Sequence, residues 1–259
     1  MPKRIMFALQ KGGVGKTSST AVVAEILAAA GYKVLVVDFD SQGNATKILT
    51  QNSIYQYSGR TIMEAIQRGD ASPFIVPVKD GLDILPAEDK LATFSRFIYT
   101  TKIENPYGVL KRLLEPLESA YDFVFIDAGP SLGDHMINAL VYVDEVIVPV
   151  DMGDLALDAM VRFVEFVDAT RSEGHTNAEI TGILLTMKDG RETRYERDVA
   201  AGLRAEYGEL VIDTAIHRRV KIKEISATGI NLNEPAMEDY FSLVEEILER
   251  MNHKEARQP

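Results

Sequence analysis

A glycine-rich segment near the start of the chain constrains the fold most strongly. Residues 10–18 read Q-K-G-G-V-G-K-T-S, and the apolar run 5–9 before them predicts a buried strand. The pattern of residues 18–30 predicts a helix after them. A glycine-rich loop between a strand and a helix turns consecutive backbone N–H groups toward one point, which forms a cradle for a triphosphate. We therefore expect Lys16 to reach the β- and γ-phosphates and the Thr17 hydroxyl to bind Mg²⁺.

The loop departs from the strict G-x-x-x-x-G-K-[ST] pattern at its first position. Gln10 stands where a glycine is usual, and Lys11 adds a second lysine at the start of the loop. The sequence K-G-G-V-G-K-T resembles the deviant Walker A motif of the ParA/MinD ATPases. The resemblance implies that Lys11 acts across a dimer interface, on the nucleotide that the partner subunit binds. It also implies that ATP is bound by Lys11, Gly12, Gly13, Val14, Gly15, Lys16, Thr17 and Ser18.

The composition is that of a globular protein with a substantial core. At 259 residues the chain fits one α/β domain over 1–259, with 46% hydrophobic and 26% charged residues. The absence of cysteine excludes disulfides, cysteine-held iron–sulfur clusters and thiolate zinc sites. No run approaches the ~18 apolar residues of a membrane-spanning helix, and the apolar run after the basic N-terminus is too short for a signal peptide. We expect a cytoplasmic protein.

Strand-like and helix-like segments alternate along the chain. Continuous apolar runs predict strands at 33–37, 82–85, 123–126, 146–150 and 180–185, and such strands indicate a sheet covered on both faces. Helices are predicted at 62–68, 109–119, 155–172 and 236–251, with a capping box of Thr61 and Glu64 at the first. The predicted fold is a doubly wound, mostly parallel α/β sheet with helices on both faces, followed by a frayed tail at 253–259.

Three carboxylates follow predicted strands. Asp38 and Asp40 come after the second strand, and Asp127 ends the apolar run 123–126 in the manner of a Walker B strand. Taken singly, each aspartate could cap a helix or a turn. The carboxyl ends of parallel strands meet at one edge of a sheet, where ligands bind in this architecture. Together with the loop, the pattern predicts that Asp127 holds the magnesium ion, usually through water.

The segment 36–46 strengthens the resemblance. It reads V-V-D-F-D-S-Q-G-N-A-T and is similar to the family's D-x-D-P-Q-G-N-A-T segment, with Ser41 in place of proline. The resemblance implies that Asp40 is catalytic and orients the attacking water, and that Asp38 supports the magnesium shell. With Lys16 as the catalytic lysine, the implied reaction is in-line attack of water on the γ-phosphate of ATP, without a covalent intermediate.

The resemblance extends over nearly the whole chain, with departures. Segments at 128–133, 184–187 and 216–224 are similar to family segments. They imply an adenine pocket near Thr186, Met187, Ile216 and His217. The departures are Gly129 for proline, Asp151 for glutamine, His217 for proline and Arg219 for asparagine.

Sequence features that the chain lacks indicate its branch within the ParA/MinD superfamily. It lacks the cysteines of the iron–sulfur members, and its last predicted helix carries glutamates where MinD-type membrane helices are basic. The chain is therefore most similar to the ParA/Soj branch, in a short form without an N-terminal DNA-binding domain. The resemblance implies partition of plasmid or chromosomal DNA, a homodimer with ATP sandwiched between subunits, nucleoid association without membrane binding, and a ParB-like partner that stimulates slow hydrolysis.

Two basic groups are candidates for non-specific DNA contact. A local basic stripe that a dimer duplicates can bind phosphates although the net charge is −11. The first group is Arg218, Arg219, Lys221 and Lys223. The second is Arg191, Arg194, Arg197 and Arg204, which glutamates interrupt, so that a solvated helical face is the alternative.

Two other functions remain open. The same dimer switch could position or regulate a non-DNA cargo, or the chain could be a metabolic ligase of the same superfamily. The K-G-G start of the loop and the segment Q-G-N at 42–44 argue against the ligase. His135, which lies among apolar residues, is predicted to be packed or hydrogen-bonded rather than a ligand, and Phe94, Phe97 and Tyr99 to be core or dimer surface.

Overall fold

A single, mostly parallel sheet organises the chain. The computed structural model describes residues 1–151, 154–186 and 193–257. Its strands are β1 (Lys3–Phe7), β2 (Val34–Phe39), β3 (Val76–Lys79), β4 (Leu82–Leu85), β5 (Phe123–Ala128), β6 (Glu145–Asp151) and β7 (Glu179–Thr186). They lie in the order β3-β4-β2-β5-β1-β6-β7. Every neighbouring pair is parallel except β3 and β4, which form an antiparallel edge.

Helices cover both faces of this sheet. They are α1 (Lys16–Ala29), α2 (Asn44–Thr50), α3 (Ile62–Arg68), α4 (Phe94–Thr100), α5 (Val109–Leu114), α6 (Asp134–Tyr142), α7 (Asp154–Ser172), α8 (Arg194–Tyr207), α9 (Val220–Thr228) and α10 (Glu238–Arg257). One core cluster joins the sheet to α3 through α8, and a second joins it to α1, α2, α9 and α10. In β1, Met6 belongs to the first cluster while Ile5 and Phe7 belong to the second. Burial on both faces explains why the strands read as continuous apolar runs.

The predicted fold class is confirmed, and the differences have local causes. The predicted helix 109–119 divides after Leu114, where a 3₁₀ segment over Glu115–Ala120 begins; its second residue, Pro116, lacks the backbone N–H that would continue the α-helix. Apolar runs do not predict the edge strand β3, since it is short, half exposed and interrupted by Pro77. The last helix runs to Arg257, beyond the predicted end at Met251. The backbone of 253–257 is helical, and the frayed tail over 253–259 stays a prediction.

The final helix packs on the core, as its sequence predicts. In α10, Tyr240, Leu243, Val244 and Ile247 are buried, and the helix lies against α1. These apolar positions are therefore core contacts, whereas Phe241 of the same helix is exposed. Among the described residues, no helix is long and apolar enough to cross a membrane.

The capping box at α3 provides a test of local stability. Glu64 Oε2 accepts hydrogen bonds from the Thr61 backbone N–H at 3.0 Å and from the Thr61 hydroxyl at 2.5 Å. Thr61→Ala should lower the free energy of unfolding by about 1 kcal/mol, which corresponds to a fall in Tm of roughly 2–4 °C for a domain of this size. Thr61→Ser keeps the hydroxyl and should lose less. Thermal unfolding followed by circular dichroism compares the two, and equal losses would contradict the role of the cap.

Candidate nucleotide and magnesium site

The carboxyl edge of the sheet brings the predicted segments together. The glycine-rich loop follows β1, and Asp38 and Asp127 lie near the ends of β2 and β5. The register of β2 and β5 pairs Asp38 with Asp127 directly. Since β5 lies between β2 and β1, the two carboxylates and the loop occupy adjacent positions along one edge.

The loop conformation depends on two of its glycines. Gly13 and Gly15 have φ of 77° and 90°, in the left-handed region that favours glycine. Gly15 is the N-cap of α1, so the first helical N–H groups are presented at the loop. Thr186, at the end of β7, donates its hydroxyl to the Val14 carbonyl at 3.0 Å and is buried. Thr186 therefore anchors the loop to the end of β7.

Both lysines of the loop are engaged within the subunit. Lys16 is buried and its Nζ donates to the Lys11 carbonyl at 2.6 Å. Burial lowers the pKa of Lys16, against the opposing influence of Asp127 and Asp40. The Lys11 Nζ lies 3.0 and 2.9 Å from the two carboxylate oxygens of Asp151. Sequence reasoning did not assign a role to Asp151, although its departure from glutamine marked the position.

Asp38 is held by a residue that sequence reasoning also missed. The backbone N–H and the hydroxyl of Thr46 donate to Asp38 Oδ2 at 2.8 and 2.7 Å, and the Asp40 N–H donates to Oδ1 at 3.3 Å. Burial raises the pKa of Asp38 to about 7, although these hydrogen bonds act in the opposite direction. The Thr46 hydroxyl also accepts from the Ala87 N–H at 3.0 Å, which ties Asp38 to the segment after β4.

Among the described residues, Asp127 accepts fewer hydrogen bonds than Asp38 does. Both of its oxygens are buried, and neither accepts a hydrogen bond of ordinary geometry from the described residues. Burial, followed by the charge of Asp38, raises the pKa of Asp127 well above its ordinary value, although Thr17 and Lys16 lie near enough to favour the charged form. Two buried carboxylates and a nearby hydroxyl supply the oxygen ligands that Mg²⁺ prefers. The donor set of Thr17, Asp38 and Asp127 thus fits the predicted ion.

Asp40 lies against a backbone that carries no side chain. Its Oδ1 accepts from the Gln42 N–H at 3.1 Å. A Cβ at Gly129 would come within 3.1 Å of Asp40 Oδ2 and 3.2 Å of Cγ. Gly129, which replaces the family's proline, therefore leaves room for the Asp40 carboxylate in this position.

Comparison with known proteins shows the family of this chain. A family model described as an AAA domain matches residues 2–181. The chromosome-partitioning ATPase Soj of Thermus thermophilus is 34% identical over 96% of this chain and 96% of that protein. The chain belongs to the ParA/Soj family of partition ATPases. Its fold is that of a P-loop NTPase with the deviant Walker A loop.

Two solved structures show how closely the fold is shared. A plasmid partition protein from Borrelia burgdorferi, solved with bound AMPPNP, is 27% identical, with a TM-score of 0.83 over 96% of this chain and 100% of that chain. A cobyrinic acid a,c-diamide synthase from Mycobacterium smegmatis, solved with ADP and magnesium, is also 27% identical, with a TM-score of 0.83 over 97% of this chain and 96% of that one.

The predicted adenine residues are placed in part. Ile216 is buried and its N–H donates to the Leu185 carbonyl at 2.9 Å, beside the end of β7. The backbone N–H of His217 donates to Asp239 Oδ2 at 3.0 Å, and its ring Nδ1 lies 3.1 Å from the same oxygen. Met187 lies outside the described residues. The adenine pocket stays a prediction.

The basic candidates differ in their surroundings. Arg218, Arg219 and Lys221 are exposed at the start of α9, with Lys221 at 3.7 Å from Glu224. In the second group Arg194 lies 3.8 Å from Asp198 and Arg204 lies 4.0 Å from Asp213, while Arg197 is exposed. The Lys223 side chain and the whole of Arg191 lie outside the described part of the chain.

His135 is a packed histidine, as predicted. Its ring lies 5.1 Å from that of Phe39 and 4.9 Å from that of Phe94, and its Nε2 lies 3.3 Å from the Leu91 carbonyl oxygen. Burial lowers the pKa of His135. Phe94 is buried, whereas Tyr99 is exposed and donates to Asp134 at 2.8 Å. Among the described residues no cluster of histidines and carboxylates holds a further metal site.

The buried carboxylate pair makes stability depend on pH. Between the ordinary carboxyl pKa and the raised values, the folded state binds more protons than the unfolded state, so stability falls as pH rises toward 7 and above. Asp127→Asn removes one of the two charges at nearly constant shape. In the absence of nucleotide and Mg²⁺, the variant should exceed wild type in Tm at pH 8 by roughly 2–4 °C, on the order of 1 kcal/mol, and by less at pH 5.

Asp80→Asn is the matched control, because Asp80 is exposed in the turn between β3 and β4. It removes the same charge from a chain of net charge −11 without touching the pair. A gain for Asp127→Asn that is equal at the two pH values, or that Asp80→Asn reproduces, would contradict the role assigned to the pair.

Proposed function

We propose that this protein is an ATP-dependent dimerising switch for the partition of plasmid or chromosomal DNA. In this proposal it is a cytoplasmic protein that associates with the nucleoid. It hydrolyses ATP slowly, binds DNA non-specifically as the ATP dimer, and is stimulated by a ParB-like partner. The observation that carries the proposal is the meeting of the glycine-rich loop, the buried pair of carboxylates and Asp40 at one edge of the sheet.

The chain supplies positioning and charge for phosphoryl transfer. Lys16 leaves the Lys11 carbonyl and contacts the β- and γ-phosphates, while the loop amides from Gly12 to Ser18 hold the remaining phosphate oxygens. Thr17, Asp38 and Asp127 hold Mg²⁺, which when bound neutralises charge on the phosphate oxygens. Asp40 orients the attacking water by accepting its hydrogen bond. AMPPNP in the Borrelia protein, and ADP with magnesium in the Mycobacterium protein, support the choice of ligands.

Lys11 completes the site of the partner subunit. An isolated subunit then holds an incomplete catalytic site, so hydrolysis depends on assembly. Its side chain is partly exposed, so it can reach a second subunit once it leaves Asp151.

DNA contact is assigned to Arg218, Arg219 and Lys221, together with Lys223 of the same segment. Arg218, Arg219 and Lys221 are exposed at the start of α9, and a dimer presents the group twice. Such a stripe binds phosphates without reading sequence.

A partition function is better supported than a metabolic one. The likeness to the Mycobacterium synthase rests on 27% identity, whereas the partition ATPase Soj is 34% identical over 96% of both chains. If the switch acts on a non-DNA cargo, the protein should form a dimer with ATP that has no affinity for DNA.

DNA binding by wild type and Asp40→Ala tests the switch. Duplex DNA of arbitrary sequence should bind with ATP, but not with ADP or without nucleotide, and binding should weaken steeply with salt. Asp40→Ala should reduce hydrolysis by about 10²-fold or more and prolong DNA binding, because the ATP dimer persists. Fluorescence anisotropy with labelled DNA at low and moderate salt measures the binding. An ATP-dependent dimer by light scattering that binds no DNA would favour a non-DNA cargo.

A second experiment locates the DNA-binding surface. Arg218→Ala and Lys221→Ala should each weaken ATP-dependent DNA binding roughly 3- to 10-fold. Each should also reduce the slope of log affinity against log salt by about 2, because the dimer loses one cation from each protomer and neutralises two phosphates fewer. Nucleotide affinity should not change. Arg194→Ala, which changes an exposed arginine on α8, is the matched control and should bind DNA as wild type does. Weakening by Arg194→Ala alone would move the DNA-binding surface to α8.

A further inference from the structure

The signature lysine of the loop has an acidic partner in its own subunit. Lys11 Nζ contacts both oxygens of Asp151, at 3.0 and 2.9 Å, although the two residues are 140 positions apart. The side chains are about equally accessible, at 25% and 26%. The Lys11 carbonyl is engaged as well, since it accepts from Lys16. Lys11 is therefore tied within its own subunit at both its backbone and its side chain.

The position of Asp151 follows from the sheet. It is the last residue of β6, which pairs with β1, the strand that leads into the loop. In the register of β6 and β7, Asp151 lies beside Thr186, whose hydroxyl holds the Val14 carbonyl. Neighbouring strand ends thus hold the loop at two points, one at Lys11 and one at Val14. The second is a neutral hydrogen bond, whereas the first is an ion pair.

The ion pair competes with any contact that Lys11 makes outside its subunit. A lysine that reaches the phosphates of a nucleotide in a second copy of the chain must give up both oxygens of Asp151. Glutamine, the residue of the family's pattern at this position, offers one neutral acceptor in place of a charged bidentate one. Hydrogen bonds to charged acceptors are about twice as strong as neutral ones.

We propose that Asp151 is a positioning residue that holds Lys11 on its own subunit and so raises the protein concentration at which the ATP dimer assembles. The inference rests on the proposed function, because it takes the partner of Lys11 to be a second copy of this chain with bound nucleoside triphosphate. Both protomers must break the pair for one dimer to form. An ion pair at this exposure changes an equilibrium about 2- to 5-fold, so two pairs change the dimer dissociation constant about 4- to 25-fold.

Asp151→Gln and Asp151→Asn test the inference. Sedimentation equilibrium over a protein dilution series with AMPPNP gives the dimer dissociation constant without hydrolysis. Both variants should dimerise about 4- to 25-fold more tightly than wild type at low salt, and the difference should shrink at high salt because the ion pair is screened. With ATP, the protein concentration that gives half of the maximal specific hydrolysis should fall in parallel. If Asp151 had a purely structural role, the variants would show no salt-dependent change in the dimer dissociation constant or in the protein concentration at half-maximal hydrolysis.

Asp144→Asn is the matched control beside the same strand. Asp144 precedes β6 at the opposite edge of the sheet and accepts from Arg4 at 2.7 Å, so the variant also removes one acid from an ion pair. It should dimerise as wild type does.

The outcomes separate this inference from the proposed function. Wild type that dimerises with AMPPNP, and Asp151 variants that dimerise equally or more weakly, would overturn the inference and leave the switch intact. The absence of a dimer for every protein at the highest concentration would overturn the proposed function and the inference together.

Discussion

The parallel register of β2 on β5 is the constraint on which the site depends. It places Asp38 directly beside Asp127, with both carboxylates buried at the carboxyl edge of the sheet. Because the two carboxylates are close together and shielded from water, the charge on each raises the free energy of the charged form of the other. Thr46 offsets part of this cost at Asp38, whereas Asp127 has no such support among the described residues. Without a cation the arrangement favours the protonated form of the carboxylates. A bound divalent ion would take the place of the proton and offset more negative charge. Binding of the ion and the integrity of the core are therefore linked.

The loop is built so that its charges are satisfied before any ligand arrives. Lys16 turns back to the Lys11 carbonyl, and Lys11 turns to Asp151. In the proposed switch, a triphosphate displaces the first contact and a second subunit displaces the other. These are separate steps with separate partners, so nucleotide binding and assembly can have different thresholds on one short loop. The left-handed backbone at Gly13 and Gly15 allows the loop to close in this manner.

Most of the central sheet could be predicted from the sequence, because burial on both faces leaves continuous apolar runs that few other structures share. The three carboxylates could be placed at one edge for the same reason, since parallel strands have a common direction. The supporting contacts could not be predicted. Thr46 reaches Asp38 across a turn, Thr186 reaches Val14 over 172 positions, and Lys11 reaches Asp151 over 140. Such contacts follow from strand order and register, which local patterns do not encode. The edge strand β3 lacks an apolar run of its own and is defined by pairing with β4.

Three departures from the family pattern have contacts close to the predicted site. Gly129 lies against the Asp40 carboxylate, Asp151 holds Lys11, and His217 is bound to Asp239 beside the end of β7. The residues predicted to bind phosphates and magnesium, by contrast, match the pattern at Lys16, Thr17, Asp38 and Asp127. None of these three departures replaces a predicted ligand of the phosphate or the metal. A change of this kind leaves the reaction itself available and alters the positions and charges that surround it. The residues of the family pattern predicted to bind phosphate and magnesium are retained in this chain, and it differs in the groups that surround them.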